Sequence, residues 1–398
     1  MESAESAYQL FAGKSELHLS IMTHRIIEAM ATLQETLDTL SADAELVQPR
    51  EEGAVRCLAC GHRCLVRPGR RGVCRVRFNR DGKLRMPWGY VAGLQADPIE
   101  KKPFYHFLPG ATALTFGMLG CDFHCGFCQN WVSSQALRDP ATDRMGLTIH
   151  RASPEEITDS AVRSRSDVVV SSYNEPLITA EWAAAIFRPA RERGFKTGIV
   201  SNGNATPEVL AYLRPHLDGM KIDLKAMRKR TYSTLGGVLQ HTLDTIQAAR
   251  RAGLWVEVVT LLIPGLNDDS AELWDAARFL AGVSADIPWH VTAYHPDYQY
   301  DAARPTSAAD LTRAAEIGQE AGLRYVYAGN LPGMVKELED TLCPKCRHPV
   351  VRRRGYTILE YRLGEGGKCP DCGEILAGIW RKPDGVDGNA RFPRSLDL

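Results

Sequence analysis

With 398 residues, 44% of them hydrophobic and 24% charged, the chain is long enough for one large catalytic domain with small appendages and apolar enough for a full core. Lysine plus arginine and aspartate plus glutamate are equal at 48 each, so no net field draws the whole molecule to nucleic acid or to an anionic membrane. The sequence has no apolar run near the roughly 18 residues a membrane span needs and no cleavable leader pattern, and a cytoplasmic protein is expected.

In chain order, residues 1–50 read as a helical N-terminal extension, with an amphipathic stretch from Ser20 to Leu46. Residues 51–110 read as a four-cysteine module and connector, carrying Cys57, Cys60, Cys64 and Cys74 among glycines and arginines. From about 112 short apolar runs alternate with helical segments. The runs are Leu114–Gly117, Val168–Ser172, Thr197–Ser201, Met220–Leu224, Val256–Ile263 and His290–Tyr294, with Val326 and Tyr327 marking a seventh. Helices are expected over Pro154–Arg165, Thr179–Arg193, Arg228–Ala252, Ala271–Leu280 and Ala308–Ala321. Pro154 and Pro207 sit at helix starts, and Gly194, Gly253 and Gly322 just past helix ends. Short buried strands alternating with helices imply a parallel sheet. The fold class is therefore α/β: a partial TIM-like (β/α)6 barrel over 111–340, with chemistry at the strands' C-terminal ends. A doubly wound open sheet is the alternative. Residues 341–380 read as a zinc-ribbon-like module with a strand from Tyr356 to Tyr361, and 381–398 as a flexible tail.

The eleven cysteines fall into three groups of four, three and four, and none lies outside them. Clustered cysteines in a chain of this kind point to metal rather than to disulfides. Cys121, Cys125 and Cys128 form a C-x3-C-x2-C motif directly after the first barrel strand. Three thiolates hold three irons of a cubane and leave the fourth iron open to a small chelating ligand such as S-adenosylmethionine (SAM). A zinc site completed by His124 is the alternative. Cys343, Cys346, Cys369 and Cys372 make two C-P-x-C knuckles that point four sulfurs at one centre, which suits zinc, with rubredoxin-like iron second. They read as a staple for a segment too small for its own core. Arg352, Arg353 and Arg354 read as a solvated strand face. The quartet at 57–74 suits either zinc or an auxiliary iron–sulfur cluster.

The three-cysteine spacing, with Phe127 before the last cysteine, resembles the signature of the radical SAM superfamily. That resemblance implies a 4Fe–4S cluster on Cys121, Cys125 and Cys128, with Phe127 near the SAM adenine and Glu175 accepting from the SAM amino group. It further implies Ser201 and Asn202 beside the ribose, Asp223 and Lys225 helping to hold SAM as in glycyl-radical-enzyme activases, and Ile263 beside the adenine. His295, Tyr173 and Asn174 are the candidate catalytic groups. Tyr294, Asp297, Tyr298, Tyr327 and Asn330 are further candidates for contact with substrate.

Asp97-Pro-Ile-Glu-Lys-Lys-Pro-Phe-Tyr-His-Phe-Leu-Pro-Gly110, the 57–74 quartet, Tyr173-Asn-Glu-Pro176 and Lys221-Ile-Asp-Leu-Lys225 together resemble the radical SAM enzyme of the AmmeMemoRadiSam system, over about 55–380. Members are often labelled pyruvate formate-lyase activating enzyme-like. They are associated with Memo-like and AMMECR-type proteins, and the resemblance supplies no substrate. Within that segment Lys101, Lys102 and His106 stand out without a role. The expected activity is reductive cleavage of SAM to a 5′-deoxyadenosyl radical that abstracts hydrogen, fed by a reductant such as flavodoxin or ferredoxin. A glycyl-radical activase and a non-catalytic metal-stabilised scaffold are the alternatives.

Overall fold

The computed structural model describes residues 32–302 and 304–381. Its centre is an eight-stranded sheet whose strands lie side by side in chain order. Seven of them run parallel: Thr112–Gly117, Val168–Ser171, Lys196–Ser201, Gly219–Asp223, Trp255–Leu262, Trp289–Ala293 and Val326–Gly329. A doubly wound sheet reverses its strand order at a switch point. This one winds in a single direction, as a partial barrel does. The eighth strand, Gly93–Pro98, adds antiparallel to the first edge. Its sequence, with Gln95, Asp97 and Pro98, lacks an apolar run, so it was not legible as a barrel strand.

Helices return the chain between parallel strands and present apolar faces to the sheet, as Trp182, Ile186 and Phe187 do from Ala180–Glu192. The single helix expected over 228–252 is two, Lys229–Thr234 and Leu239–Arg251. The break falls at Gly236 and Gly237. A Cβ on Gly236 would stand 2.4 Å from the His124 ring, and one on Gly237 2.3 Å from the Phe123 ring. Tertiary packing overrides helix propensity here, because the loop carrying the three cysteines occupies the gap.

The Asp97–Gly110 segment crosses the sheet's lower end. The Tyr105 and His106 backbone N–H groups donate to Glu257 at 2.9 and 2.8 Å, while Phe104 and Phe107 pack beneath. Glu257 also holds His290 at 2.7 Å. This segment is thus a floor, and His106 is pinned in it between the Tyr327 hydroxyl (2.6 Å) and the Ala377 carbonyl (2.7 Å).

Past the barrel, Thr341–Leu342, Pro349–Arg354 and Thr357–Tyr361 form a small antiparallel sheet. Alternation along Pro349–Arg354 corrects the expected solvated arginine face. Arg352 and Arg354 are exposed, but Arg353 is buried, donating to the Tyr105 carbonyl (2.9 Å) and Thr341 (2.7 Å) with its guanidinium 4.4 Å over the Tyr105 ring. At the other terminus, the described part of the expected helical extension is one short helix, Leu33–Thr39, followed by strands Ser41–Asp43 and Val47–Pro49. The rest of that extension, and the expected tail beyond 381, lie outside the described residues. Among these residues no helix is long and apolar enough to cross a membrane.

Candidate active site at the cluster loop

The first parallel strand ends against Tyr173. A Cβ on Gly117 would lie 2.8 Å from that ring, and one on Gly120, which turns the chain at φ +94, would meet Val76 at 2.8 Å. Between these close approaches and the Gly236–Gly237 gap, the loop sets Cys121, Cys125 and Cys128 on the wall of a cavity of about 990 Å³. The Phe123 N–H points at the Cys121 sulfur (3.3 Å), and Ser134 Oγ lies 3.2 Å from that of Cys128. Burial raises all three thiols, Cys125 to about 12. Buried thiols of this kind ionise when a metal replaces the proton. Three cysteines on one cavity wall, with the Phe123 N–H aimed at the first sulfur, fit a cluster with one open iron. His124 is turned away to Gly236.

The neighbouring strand ends line the same cavity. Glu175 is buried and accepts from Ser201 Oγ (2.7 Å), the Asn202 N–H (2.8 Å) and the Leu177 N–H (3.1 Å). Burial and the nearby Asp122 charge raise its carboxyl to about 8. Asp223 lies between Lys221 and Lys225. Burial opposes its charge, but the two ammoniums hold it down at about 2. Burial lowers the Lys225 ammonium, but Asp223, with Cys125 and Cys128, outweighs it and holds Lys225 above its usual value. Phe127 is buried edge-on to Tyr300, their ring centres 6.0 Å apart. Ile263, its N–H fixed by Asn267 at 2.7 Å, is fully buried and does not line the cavity.

Tyr173 sits at φ +70, a conformation that tertiary context must impose. Its hydroxyl meets Lys102 at 3.2 Å. The amide of Asn174 is taken up by backbone, accepting from Met118 N–H (3.0 Å) and donating to the Glu175 carbonyl (3.2 Å). His295 is exposed at the rim, 3.3 Å from Asp297 and 3.4 Å from Gln129. Tyr294, Tyr298 and Tyr327 direct their hydroxyls to protein groups: the Tyr300 carbonyl (2.6 Å), Asp139, and Thr341 with His106. Asn330 donates to the Ala293 carbonyl at 3.1 Å.

Sequence reasoning missed Asp122. It is fully buried and accepts from Asn202 (2.7 Å) and Asn204 (2.8 Å), tying the cluster loop to the third parallel strand's end. Its place inside the cysteine motif concealed it. The 57–74 module docks on the same loop, with His62 3.2 Å from the Asp122 carbonyl and the Gly61 N–H 2.8 Å from the Asn204 carbonyl. In the C-terminal module the sulfurs of Cys343, Cys346, Cys369 and Cys372 all lie within 4.8 Å of one another, so the set fits a single ion.

The radical SAM superfamily model matches residues 116–280. An uncharacterized protein of Methanocaldococcus jannaschii is 33% identical over 337 residues, 84% of this chain and 98% of that protein. The chain belongs to the radical SAM superfamily. It is an enzyme of that class, and the radical SAM domain implies a 4Fe–4S cluster and SAM. The pyruvate formate-lyase 1-activating enzyme of Escherichia coli is 25% identical over 242 residues, 55% of this chain and 93% of that enzyme. Among solved structures, a radical SAM methyltransferase from Sphaerobacter thermophilus aligns at 20% identity and a TM-score of 0.42, over 56% of this chain and 67% of that one.

Proposed function

We propose that this enzyme abstracts hydrogen from a substrate held in the cavity, with Cys121, Cys125 and Cys128 as cluster ligands. When bound, cluster and SAM supply a 5′-deoxyadenosyl radical by one-electron cleavage of the sulfonium. The observation that carries this reading is that the three thiols share one wall with Glu175, Ser201, Asn202 and Asp223 at the ends of successive parallel strands. Glu175 is suited to accept from the SAM amino group, Ser201 and Asn202 to flank the ribose, and Phe127 to pack the adenine, with Ile263 buried behind the cavity wall. Asp223 and Lys225 supply opposite charges for the zwitterionic end. Tyr173 and His295 reach the cavity as candidate substrate contacts. Asn174, held by backbone, acts as a positioning residue.

The C-terminal quartet is assigned zinc, and the 57–74 quartet zinc or an auxiliary iron–sulfur cluster. A cytoplasmic location, a flavodoxin or ferredoxin reductant, and Memo-like and AMMECR-type partners complete the reading. The activating-enzyme relative favours a second one, installation of a glycyl radical on a partner protein.

The test is anaerobic: reconstitute, count iron and zinc, add dithionite and SAM, and measure 5′-deoxyadenosine. A Cys121→Ala, Cys125→Ala, Cys128→Ala triple variant should lose both cluster iron and product. An iron-loaded parent that leaves SAM intact would refute the reading. Deuterium passing into 5′-deoxyadenosine from a labelled partner glycine would establish the activase instead.

A further inference from the structure

The cavity continues past the cluster loop to the floor segment, where Lys101, Lys102 and Pro103 line it, and to the C-terminal module, where Arg354, Gly355 and Tyr356 do. Lys102 is a buried ammonium. Its carboxylate partner Asp97, at 3.3 Å, is shared with Lys101 at 3.1 Å. The Tyr173 ring face lies 4.7 Å from the Lys102 nitrogen. Two positions before Asp223, on the same face of its strand, Lys221 shares that aspartate with Lys225. Four ammoniums therefore divide two carboxylates.

The other acids lining this end, Glu339 and Glu100, are oriented by backbone N–H groups. Glu339 accepts from the Gly333 and Gly355 N–H groups at 2.7 and 2.6 Å, and Glu100 accepts from the Gly110 N–H at 2.8 Å. Among the described residues Arg354 has no ion-pair partner. Burial lowers the Lys102 ammonium to about 8, with Lys101 and Lys221 adding to the effect against Asp97. The five cations at this end, Lys101, Lys102, Lys221, Lys225 and Arg354, outnumber its four carboxylates, Asp97, Asp223, Glu339 and Glu100, and burial raises Glu100 to about 7.

Resting on the function proposed above, we propose that Lys102, Lys221 and Arg354 form a recognition site for the oxyanion of a small-molecule substrate, a carboxylate or phosphate, whose body extends toward the cluster loop. Ammoniums serve as point charges for either group, and the guanidinium fork suits both. A small molecule is favoured over a protein loop because the Arg354–Tyr356 turn lines the cavity and is fixed there. Gly355 holds φ +59, its N–H is bonded to Glu339, and an added Cβ would lie 3.3 Å from Pro332. An anion beside Lys102 restores the charge that burial disfavours, so binding near pH 8.5 takes up protons.

The experiment titrates cluster-loaded enzyme, at saturating SAM, with inorganic phosphate and separately with succinate, by anaerobic calorimetry. The expected result is saturable binding of one of them. It should weaken by about tenfold in Lys102→Gln and in Arg354→Gln and be restored by Lys102→Arg, all at parental iron content and denaturation midpoint. The heat should depend on buffer ionisation at pH 8.5, and Lys102→Gln should remove that dependence. Phosphate binding alone identifies a phosphoryl group, and succinate binding alone a carboxylate. Binding of neither anion, binding unaltered in both glutamine variants, or binding that only displaces SAM overturns the site. A parent that cleaves SAM but binds neither anion leaves the radical chemistry standing. One that binds an anion but never cleaves SAM overturns that chemistry instead.

Discussion

The Gly236–Gly237 break makes a prediction of sign as well as size. A Cβ on Gly237 would lie 2.3, 2.6 and 2.9 Å from three carbons of the Phe123 ring. That ring cannot swing aside cheaply, because it is fully buried and its carbonyl is held by Gln135 (3.2 Å) and Arg138 (2.8 Å). Gly237→Ala is therefore overpacking, with a destabilisation of about 1–3 kcal/mol. Because Phe123 lies between Cys121 and Cys125, relief by moving the loop should also lower the iron taken up on reconstitution. Gly282 supplies the control. It lies within the helix Ser270–Val283, and its added Cβ meets nothing within 4 Å. Gly282→Ala should stabilise by about 0.4–1 kcal/mol through reduced unfolded-state entropy and leave iron unchanged. Denaturant midpoints at constant slope, with iron per chain, measure both. If Gly237→Ala proves as benign as Gly282→Ala, close packing of the cluster loop does not explain the helix break.

Two further predictions concern buried charge. Arg77 and Glu181 form a salt bridge with side chains almost wholly buried, and Arg77 also reaches the Ile178 carbonyl at 2.8 Å. Arg77→Met leaves Glu181 unpaired and should cost about 3–5 kcal/mol in denaturant unfolding. Arg77→Met with Glu181→Gln should recover part of that loss, and a double variant no better than the single would refute the pairing argument. Burial raises the Glu100 carboxyl to about 7, against the pull of Arg353. The folded chain thus keeps a proton that the unfolded chain releases near the ordinary carboxylate value, and this contribution to stability falls as pH rises from about 4.3 to 7. Glu100→Gln should flatten that part of the profile, and an unchanged slope would remove Glu100 as its source.

The seven parallel strands were legible because strands covered on both faces are mostly apolar, as Val168–Ser171 is and as Trp255–Leu262 is apart from Glu257 and Thr260. The three-cysteine motif that carries the superfamily resemblance was legible because its spacing is local. What escaped depends on contacts distant in sequence. The Arg228–Ala252 pattern is helical in composition, and only the approach of Phe123 and His124 divides it. Arg353 is indistinguishable from its neighbours in sequence, and its burial depends on Tyr105, almost 250 positions earlier. Asp122 is buried through asparagines 80 and 82 positions away. Glu257 reads as an ordinary charged residue until the floor segment brings two N–H groups and His290 brings its ring.

The C-terminal quartet is more than a staple for a free-standing ribbon. Its small core consists of Cys343, Val350, Val351, Leu363, Cys369 and Leu376 together with Tyr105 from the floor and Tyr325 and Tyr327 at the last parallel strand. A module that completes its core with barrel residues cannot rearrange alone. The Leu108 N–H bonds to the Ile379 carbonyl, and Arg353 reaches the Tyr105 carbonyl, so the module and the floor segment are one packed unit. A metal held by the four sulfurs would therefore act beyond its own knuckles. It would set the hairpin that carries Arg354 to the cavity and brace the segment that carries Lys102. The 57–74 quartet has the corresponding place at the opposite end, where its Gly61 and His62 contacts reach Asn204 and Asp122 beside Cys121. One four-cysteine group supports the end where SAM is proposed to be cleaved. The other supports the end where the substrate's anion is proposed to rest.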